Sequence, residues 1–279
     1  MPPADSPAYH PPMPMRRIAL MNQKGGVAKT TTTVNLGAAL ARRGLRVLLV
    51  DIDPQANLTV HMDVRPEGLE RSVYDVMMGR STLAAAVRPT GTLGLDLVPA
   101  SLDLAGAEME LVASVGREQT LRDAVDALER EAADTGADPW DVLLVDCPPS
   151  LGLLSVNALV AVRQVIVPLQ AEFFALQGMA RLREVLDLVE RRLNPGLEIL
   201  GILPAMLDGR TTLSREVMTE VRSFFGATVF GTAIRRNVKL AEASSHGKTI
   251  FEYAPDSNGA ADYAALAEEV LRRAAVKGP

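Results

Sequence analysis

Arg17-Ile18-Ala19-Leu20-Met21-Asn22-Gln23-Lys24-Gly25-Gly26-Val27-Ala28-Lys29-Thr30-Thr31 is the stretch whose reading decides the fold. Residues 17–21 form a short apolar run that suits a strand buried on both faces, and a helical pattern follows over 30–43. The segment between them carries two consecutive glycines and ends in Lys-Thr. Strand, glycine-rich loop, Lys-Thr and helix is the order of a phosphate-binding loop, whose N–H groups and helix N-terminus together make an anion site. In such a loop Lys29 reaches the β- and γ-phosphates and the Thr30 hydroxyl ligates Mg²⁺. The usual pattern G-x-x-x-x-G-K-[ST] fails at both glycines, where Gln23 and Ala28 stand. What matches is x-K-G-G-x-x-K-[ST], with an extra lysine at Lys24. A plain Gly-Gly turn with two solvated lysines is the competing reading, and the position between strand and helix weighs against it.

Further apolar runs of the same kind stand at 46–50, 95–98, 142–145, 164–169 and 199–203. Helical patterns lie between and after them, at 102–115, 118–133, 176–193 and 213–225. Gly44, Gly116 and Gly226 suit helix ends, and Asn194-Pro195-Gly196 stops a helix firmly. Alternating strand and helix implies right-handed crossovers, so the expected fold is α/β: a mostly parallel twisted sheet with helices on both faces. No internal repeat or linker divides residues 16–279, which read as one domain. Residues 1–15 read as a disordered, proline-rich tail without the basic and hydrophobic regions of a signal peptide.

The 279 residues are 48% hydrophobic, which excludes a largely disordered chain, and only 4% aromatic, which leaves the core to Ala, Leu and Val. The single cysteine, Cys147, excludes an intrachain disulfide and a multi-cysteine metal site. No apolar run approaches the ~18 residues of a membrane span. A net charge of −5 is not the profile of a constitutive nucleic-acid binder.

In an open parallel sheet, ligands sit beyond the carboxyl ends of the strands. The second run ends in Asp51-Ile52-Asp53-Pro54-Gln55. Alternation puts Asp51 and Asp53 on one side, both emerging at the ligand edge. One carboxylate there can sit in a metal's outer shell while the other orients an attacking water. Asp141 to Ser150 reads as four apolar residues followed by Asp146, an arrangement that holds Mg²⁺ through water, and Ser150-Leu151-Gly152 begins a loop able to sense a γ-phosphate. Cys147 lacks a convincing histidine partner and reads as a small buried thiol. Lys24 at a strand end is, on its position alone, an ordinary solvated lysine. A second cation is nevertheless useful where charge develops in phosphoryl transfer, and it can be delivered in trans.

These motifs together resemble the ParA/MinD group of deviant Walker ATPases, and most closely the Soj-like ParA partition ATPases. The resemblance runs from about residue 16 to 273. It rests on residues 24–31, 51–55 and 146–150, with Met206-Leu207-Asp208-Gly209-Arg210-Thr211 and Asn237-Val238-Lys239-Leu240-Ala241-Glu242-Ala243. It implies ATP and Mg²⁺ as cofactors and a homodimer that sandwiches ATP. Lys24 would cross to the partner's phosphates, and Gly25, Gly26, Val27, Ala28, Lys29, Thr30 and Thr31 would cradle the chain's own. Asp53 would position the hydrolytic water, Thr30 and Asp146 would hold Mg²⁺, and Asn237 would contact adenine. Arg210 and Lys239 would bind double-stranded DNA without sequence preference. A centromere-binding ParB-type partner would stimulate slow hydrolysis, and the location implied is cytoplasmic and nucleoid-associated.

Four residues depart from the family pattern: Ala28 and Ser244 stand where glycine and proline are usual, Arg235 replaces a proline, and Lys239 an arginine. A MinD-like membrane-cycling ATPase is the alternative reading. The final segment, 263–276, is alanine-rich and carries Glu268, Glu269, Arg272 and Arg273, which suits a capping helix better than a bilayer anchor. A nitrogenase-type iron protein is excluded by the single cysteine. An adaptor that only binds nucleotide does not account for Lys24, Asp53 and Asp146 together. Residues 206–248 hold seven basic and four acidic residues, a net +3, so the rest of the chain carries −8. Dimerisation would present that basic segment twice.

Overall fold

Strands form where the short apolar runs stand, because those runs supply burial on both faces. The computed structural model describes residues 14–172 and 175–276. Residues 1–13 of the expected tail lie outside them, and Met15 already belongs to the core, 8% exposed.

The strands are β1 (Arg16–Leu20), β2 (Val47–Asp51), β3 (Arg88–Pro89), β4 (Leu95–Val98), β5 (Val142–Asp146), β6 (Gln164–Gln170) and β7 (Glu198–Ala205). Among the described residues they form one sheet in the order β3-β4-β2-β5-β1-β6-β7. All pairings are parallel except that of the two-residue edge strand β3 with β4. Chain connections leave β1 toward β2 on one side and return through β5 to β6 on the other. The crevice at the carboxyl end of β1 is therefore where the winding reverses.

The helices between β1 and β4 are α1 (Lys29–Ala41), α2 (Asn57–His61), α3 (Val73–Met77) and α4 (Leu83–Ala86). Then follow α5 (Leu104–Leu111), α6 (Thr120–Thr135), α7 (Leu153–Ala161), α8 (Ala175–Arg192) and α9 (Thr212–Phe225). The chain ends in α10 (Val238–Ser245), α11 (Ile250–Tyr253) and α12 (Asn258–Val276). Strand alternation divides the core in two. Ala19, Leu48, Val50, Leu143, Val145 and Val167 face the layer carrying Val73, Leu104, Leu121, Leu154, Leu182 and Val221. Ile18, Leu20, Leu49, Leu144 and Ile166 face Leu36, Leu40, Leu240, Tyr263 and Leu266. Each fully buried Val or Leu contributes about 1.5–3 kcal/mol.

Two details seat the loop after β1. Gly37 lets α1 lie close on the sheet, since a Cβ there would meet Leu49 Cδ2 at 2.9 Å. On the outer side, Tyr263 of α12 is fully buried and its hydroxyl lies 3.2 Å from Thr32 Oγ1 of α1. The last helix thus caps the loop helix, and it begins at Asn258 rather than at residue 263.

The sequence reading missed β3, α2, α3, α4, α7, α10 and α11. Most of these are too short to develop a period. In α7 the reason is different: Leu154, Ser155 and residues 157–161 are all buried, so no polar face alternates with the apolar one.

Candidate functional site

A cavity of about 570 Å³ opens at the carboxyl ends of the central strands. Its walls come from the β1–α1 loop, the β2–α2 loop, Pro149 after β5, Met206 after β7, and Ser244 and Ser245 at the end of α10. Gly25, Gly26, Ala28, Lys29, Thr30, Thr31 and Asp53 all line it.

The β1–α1 loop turns through two left-handed residues, Gly26 (φ 74°) and Ala28 (φ 67°), with buried Val27 between them. Such a turn gathers successive N–H groups into a concave anion nest. Ala28 adopts this conformation at a steric cost of roughly 1–2 kcal/mol that glycine escapes. Among the described residues helix α1 has no side-chain cap and no acidic residue in its first turn, so its N-terminal N–H groups and dipole are left for an external anion. Lys29 is 7% exposed and its Nζ donates to the Lys24 carbonyl at 3.3 Å. Burial lowers its pKa, while Asp146 and Asp53 pull it back up.

Asn22 fixes the start of this loop, a role the sequence reading missed. Buried at 7% exposure, it donates from Nδ2 to the Pro168 carbonyl (2.7 Å) and accepts from the Lys24 N–H (3.0 Å). Lys24 itself leaves the cavity edge and pairs with Glu172 just beyond β6. Both side chains are about half exposed, so the pair contributes little to stability and is readily exchanged.

The carboxylates sort differently from the sequence expectation. Asp51 does not emerge at the ligand edge. It is fully buried, facing Asp146 across the β2–β5 register. Its Oδ2 accepts from the Thr59 N–H (2.8 Å) and hydroxyl (2.7 Å), and its Oδ1 from the Asp53 N–H (3.1 Å). Asp51 therefore shapes the β2–α2 loop, and Asp53 is the carboxylate that reaches the cavity. Asp53 Oδ1 accepts the Gln55 N–H at 3.0 Å, and its other oxygen carries no hydrogen bond among the described residues. Asp146 Oδ2 accepts the Thr30 hydroxyl at 2.6 Å, and Oδ1 that of Thr33 at 3.3 Å.

Thr30 and Asp146 together present hard oxygen donors beside an anion nest. Among the described residues no group of three or more His, Cys, Asp or Glu could hold a metal. This donor set fits Mg²⁺, which is usually held by one or two protein oxygens with the remaining positions filled by phosphates and water. Cys147 is fully buried and burial pushes its thiol well up, which leaves it unreactive as expected. The loop of Ser150, Leu151 and Gly152 leads directly into α7, whose Leu154 N–H is held by Glu108 of α5 at 3.1 Å.

Burial pushes the carboxyls of Asp51 and Asp146 up, to about 7 and about 8, and repulsion from neighbouring acids adds to it. Unfolded, both titrate near 3.8. The folded chain thus holds these protons more tightly, so their contribution to stability is full below the unfolded value and is lost as pH rises through the folded ones. Without Mg²⁺ and nucleotide, the melting temperature should contain a component that falls between about pH 4 and pH 8. Asp51→Asn should flatten that slope, whatever its effect on the level. Thermal melts across this range test it, and an unchanged slope would contradict it.

Of the remaining sequence candidates, Asn237 caps α10, accepting the Lys239 N–H at 2.9 Å, and does not line the cavity. Arg210 extends from the turn after β7 with its side chain 90% exposed, held by Asp208 at 3.0 Å. That pairing keeps the Asp208 carboxyl low, at about 2. Lys239 pairs with Glu242 at 2.8 Å and lies over the Tyr253 ring. The Leu207↔Arg235 bridge brings these two basic segments side by side. Arg235 is held by Asp262 of α12, its Nη2 2.6 Å from Oδ1, which explains how an arginine serves where proline is usual. Of the wall residues, Val60, His61 and Ser245 carry no motif and were invisible in the sequence, while Met206 and Ser244 were legible only as parts of the family pattern and not as cavity wall.

The fold and site define a P-loop nucleotide-binding protein. The sequence pattern of the AAA domain family matches residues 15–199. The chromosome-partitioning ATPase Soj of Thermus thermophilus is 50% identical over 259 residues, 93% of this chain and 96% of that one. The sporulation initiation inhibitor protein Soj of Bacillus subtilis is 47% identical over 253 residues, covering 91% and 97%. A solved structure of cobyrinic acid a,c-diamide synthase from Mycobacterium smegmatis, with bound ATP analog and magnesium, superposes with a TM-score of 0.79 at 40% identity. It covers 92% of this chain and 95% of that one. The chain belongs to the AAA domain family and, within it, to the Soj-like members of the ParA/MinD superfamily.

Proposed function

We propose that this chain is a Mg²⁺-dependent partition ATPase that dimerises around ATP, holds DNA without sequence preference in that state, and releases it on hydrolysis. The observation that carries this reading is the convergence of Lys29, Thr30 and Asp53 on one cavity at the uncapped start of α1, with Asp146 buried behind Thr30 and bonded to its hydroxyl. The loop 25–31 binds the phosphates through its N–H groups and Lys29. Thr30 and Asp146 hold Mg²⁺, which when bound neutralises charge on the phosphates. Asp53 orients water through its unbonded oxygen. Lys24, detached from Glu172, reaches the phosphates held by a second copy. Asn237, at the start of α10 and outside the cavity lining, is the proposed contact for adenine.

Relatives named as chromosome-partitioning proteins support the cellular role. Arg210 and Lys239, solvent-facing on segments that the Leu207↔Arg235 bridge joins, support the DNA contact. A ParB-type protein is the proposed activator, and the nucleoid the proposed location. Among the described residues no helix is long and apolar enough to cross a membrane.

Binding of a random-sequence duplex, measured by anisotropy across a salt series with ATP and with ADP, tests the proposal. ATP is expected to tighten binding, and Arg210→Ala to weaken it while lowering the salt slope by about 1 per chain. Equal affinity in the two nucleotides would remove the partition reading. Sedimentation with vesicles in ATP would instead favour the MinD-like reading.

A further inference from the structure

One wall of the cavity is built from the same two segments that carry the basic residues proposed to meet DNA. Met206 lines the cavity and stands four residues before Arg210. Ser244 and Ser245 line it from the last turn of α10, whose second residue is Lys239. An eight-residue helix spans about 12 Å, so one short rigid rod joins cavity and basic face. The two segments are also tied to each other. The Ile234 N–H donates to the Pro204 carbonyl (2.8 Å), the Leu207 N–H to that of Ile234 (2.9 Å), and the Arg236 N–H to that of Leu207 (3.1 Å).

Met206 interrupts this ladder in an unusual way. Its φ is 50°, in the left-handed region that a long side chain rarely occupies, and it lies between the end of β7 and the Asp208–Arg210 turn. That conformation costs roughly 1–2 kcal/mol, so an interaction of modest strength can reverse it. A change of φ at Met206 swings the residues that follow, and the first of these are Asp208, whose carboxylate holds the Arg210 guanidinium, and Arg210 itself.

We propose that Met206 is a positioning residue that couples the nucleotide cavity to the basic face within a single chain. This rests on the nucleotide and DNA reading above and adds a route that does not require the second copy. A ligand filling the cavity meets Met206 and the end of α10. It thereby sets the orientation of Arg210 and Lys239 before any dimer forms.

The test uses the full chain carrying Lys24→Ala, at a concentration where light scattering shows it monomeric with every nucleotide, with hydrogen exchange compared without nucleotide and with Mg²⁺ plus ADP or a non-hydrolysable ATP analogue. Slowed exchange at residues 24–31 measures occupancy. Coupling predicts that exchange at residues 207–211 and 238–245 changes at the same ligand concentrations, by about fivefold or more. Occupied loops with unchanged exchange at 207–211 would overturn it. In the otherwise unaltered chain, Met206→Gly removes the conformational bias. The ratio of DNA affinities in ATP and ADP, each measured at saturating nucleotide, should then shrink by about fivefold; an unchanged ratio would also overturn the proposal. If the unaltered chain binds no DNA with ATP, the partition reading fails, and the exchange result still decides whether the cavity moves residues 207–211.

Discussion

Asp53→Ala is expected to lower activator-stimulated ATP turnover by about 10²–10⁴-fold, with nucleotide affinity changed only a few fold. Asp53 is 5% exposed on the cavity wall, and one of its oxygens already holds the Gln55 N–H. The other oxygen has no hydrogen-bond partner among the described residues and is the group available to orient water. Alanine removes both functions, so Asp53→Asn is the necessary companion: it keeps an oxygen for the Gln55 turn but replaces the carboxylate with a weaker acceptor. Loss of turnover in both variants, with bound nucleotide retained, marks a water-positioning group. Loss in Asp53→Ala alone would mean that the turn is what matters. Asp51→Ala should behave differently, because it removes a fully buried acid that organises Thr59, and its damage should appear in the melting temperature.

The second large effect is at Lys24. Lys24→Ala is expected to abolish ATP-dependent dimers, or to lower turnover by about 10³-fold or more where dimers persist, as removal of a charge-stabilising group supplied in trans does. The fold should be undisturbed, since the side chain gives up a half-exposed ion pair with Glu172, worth about 0–1 kcal/mol. Light scattering with and without ATP reads the dimer, phosphate release reads turnover, and a melt checks the fold. Unchanged dimers and unchanged turnover would mean that Lys24 is no more than a solvated strand-end lysine. The pairing with Glu172 gives the experiment its interest: in the single chain the lysine is turned toward β6, so crossing to a partner exchanges a carboxylate for a phosphate.

Much of the nucleotide end of the site was legible in the chain. The loop residues 24–31 are contiguous, and contiguous residues between a strand and a helix need no tertiary information to be read together. Asp146 was legible because four apolar residues bring it to a strand end. Asp51 was misread for a physical reason. Alternation put it on the same side as Asp53, but whether a strand-end carboxylate meets solvent or is enclosed depends on Thr59, eight residues later, folding back over it. Asn22 was equally hidden, since its partner Pro168 lies 146 residues away.

The sequence by itself determined that this is a parallel α/β protein with a phosphate-binding loop, because two-faced apolar strands, helical periods and the Lys-Gly-Gly to Lys-Thr spacing are local properties. It also determined that positive charge collects between residues 206 and 248. Tertiary structure decided which carboxylate reaches the cavity, where Lys24 rests, and that the segments carrying Arg210 and Lys239 line that same cavity. The last of these depends on the pairing of β7 with β6 and on the 204–207 and 234–236 segments zipping together, the first two on Thr59 and Glu172 closing on Asp51 and Lys24. Hydrogen bonds between backbones distant in the chain leave no mark on side-chain identity, which is why only the folded molecule reveals them.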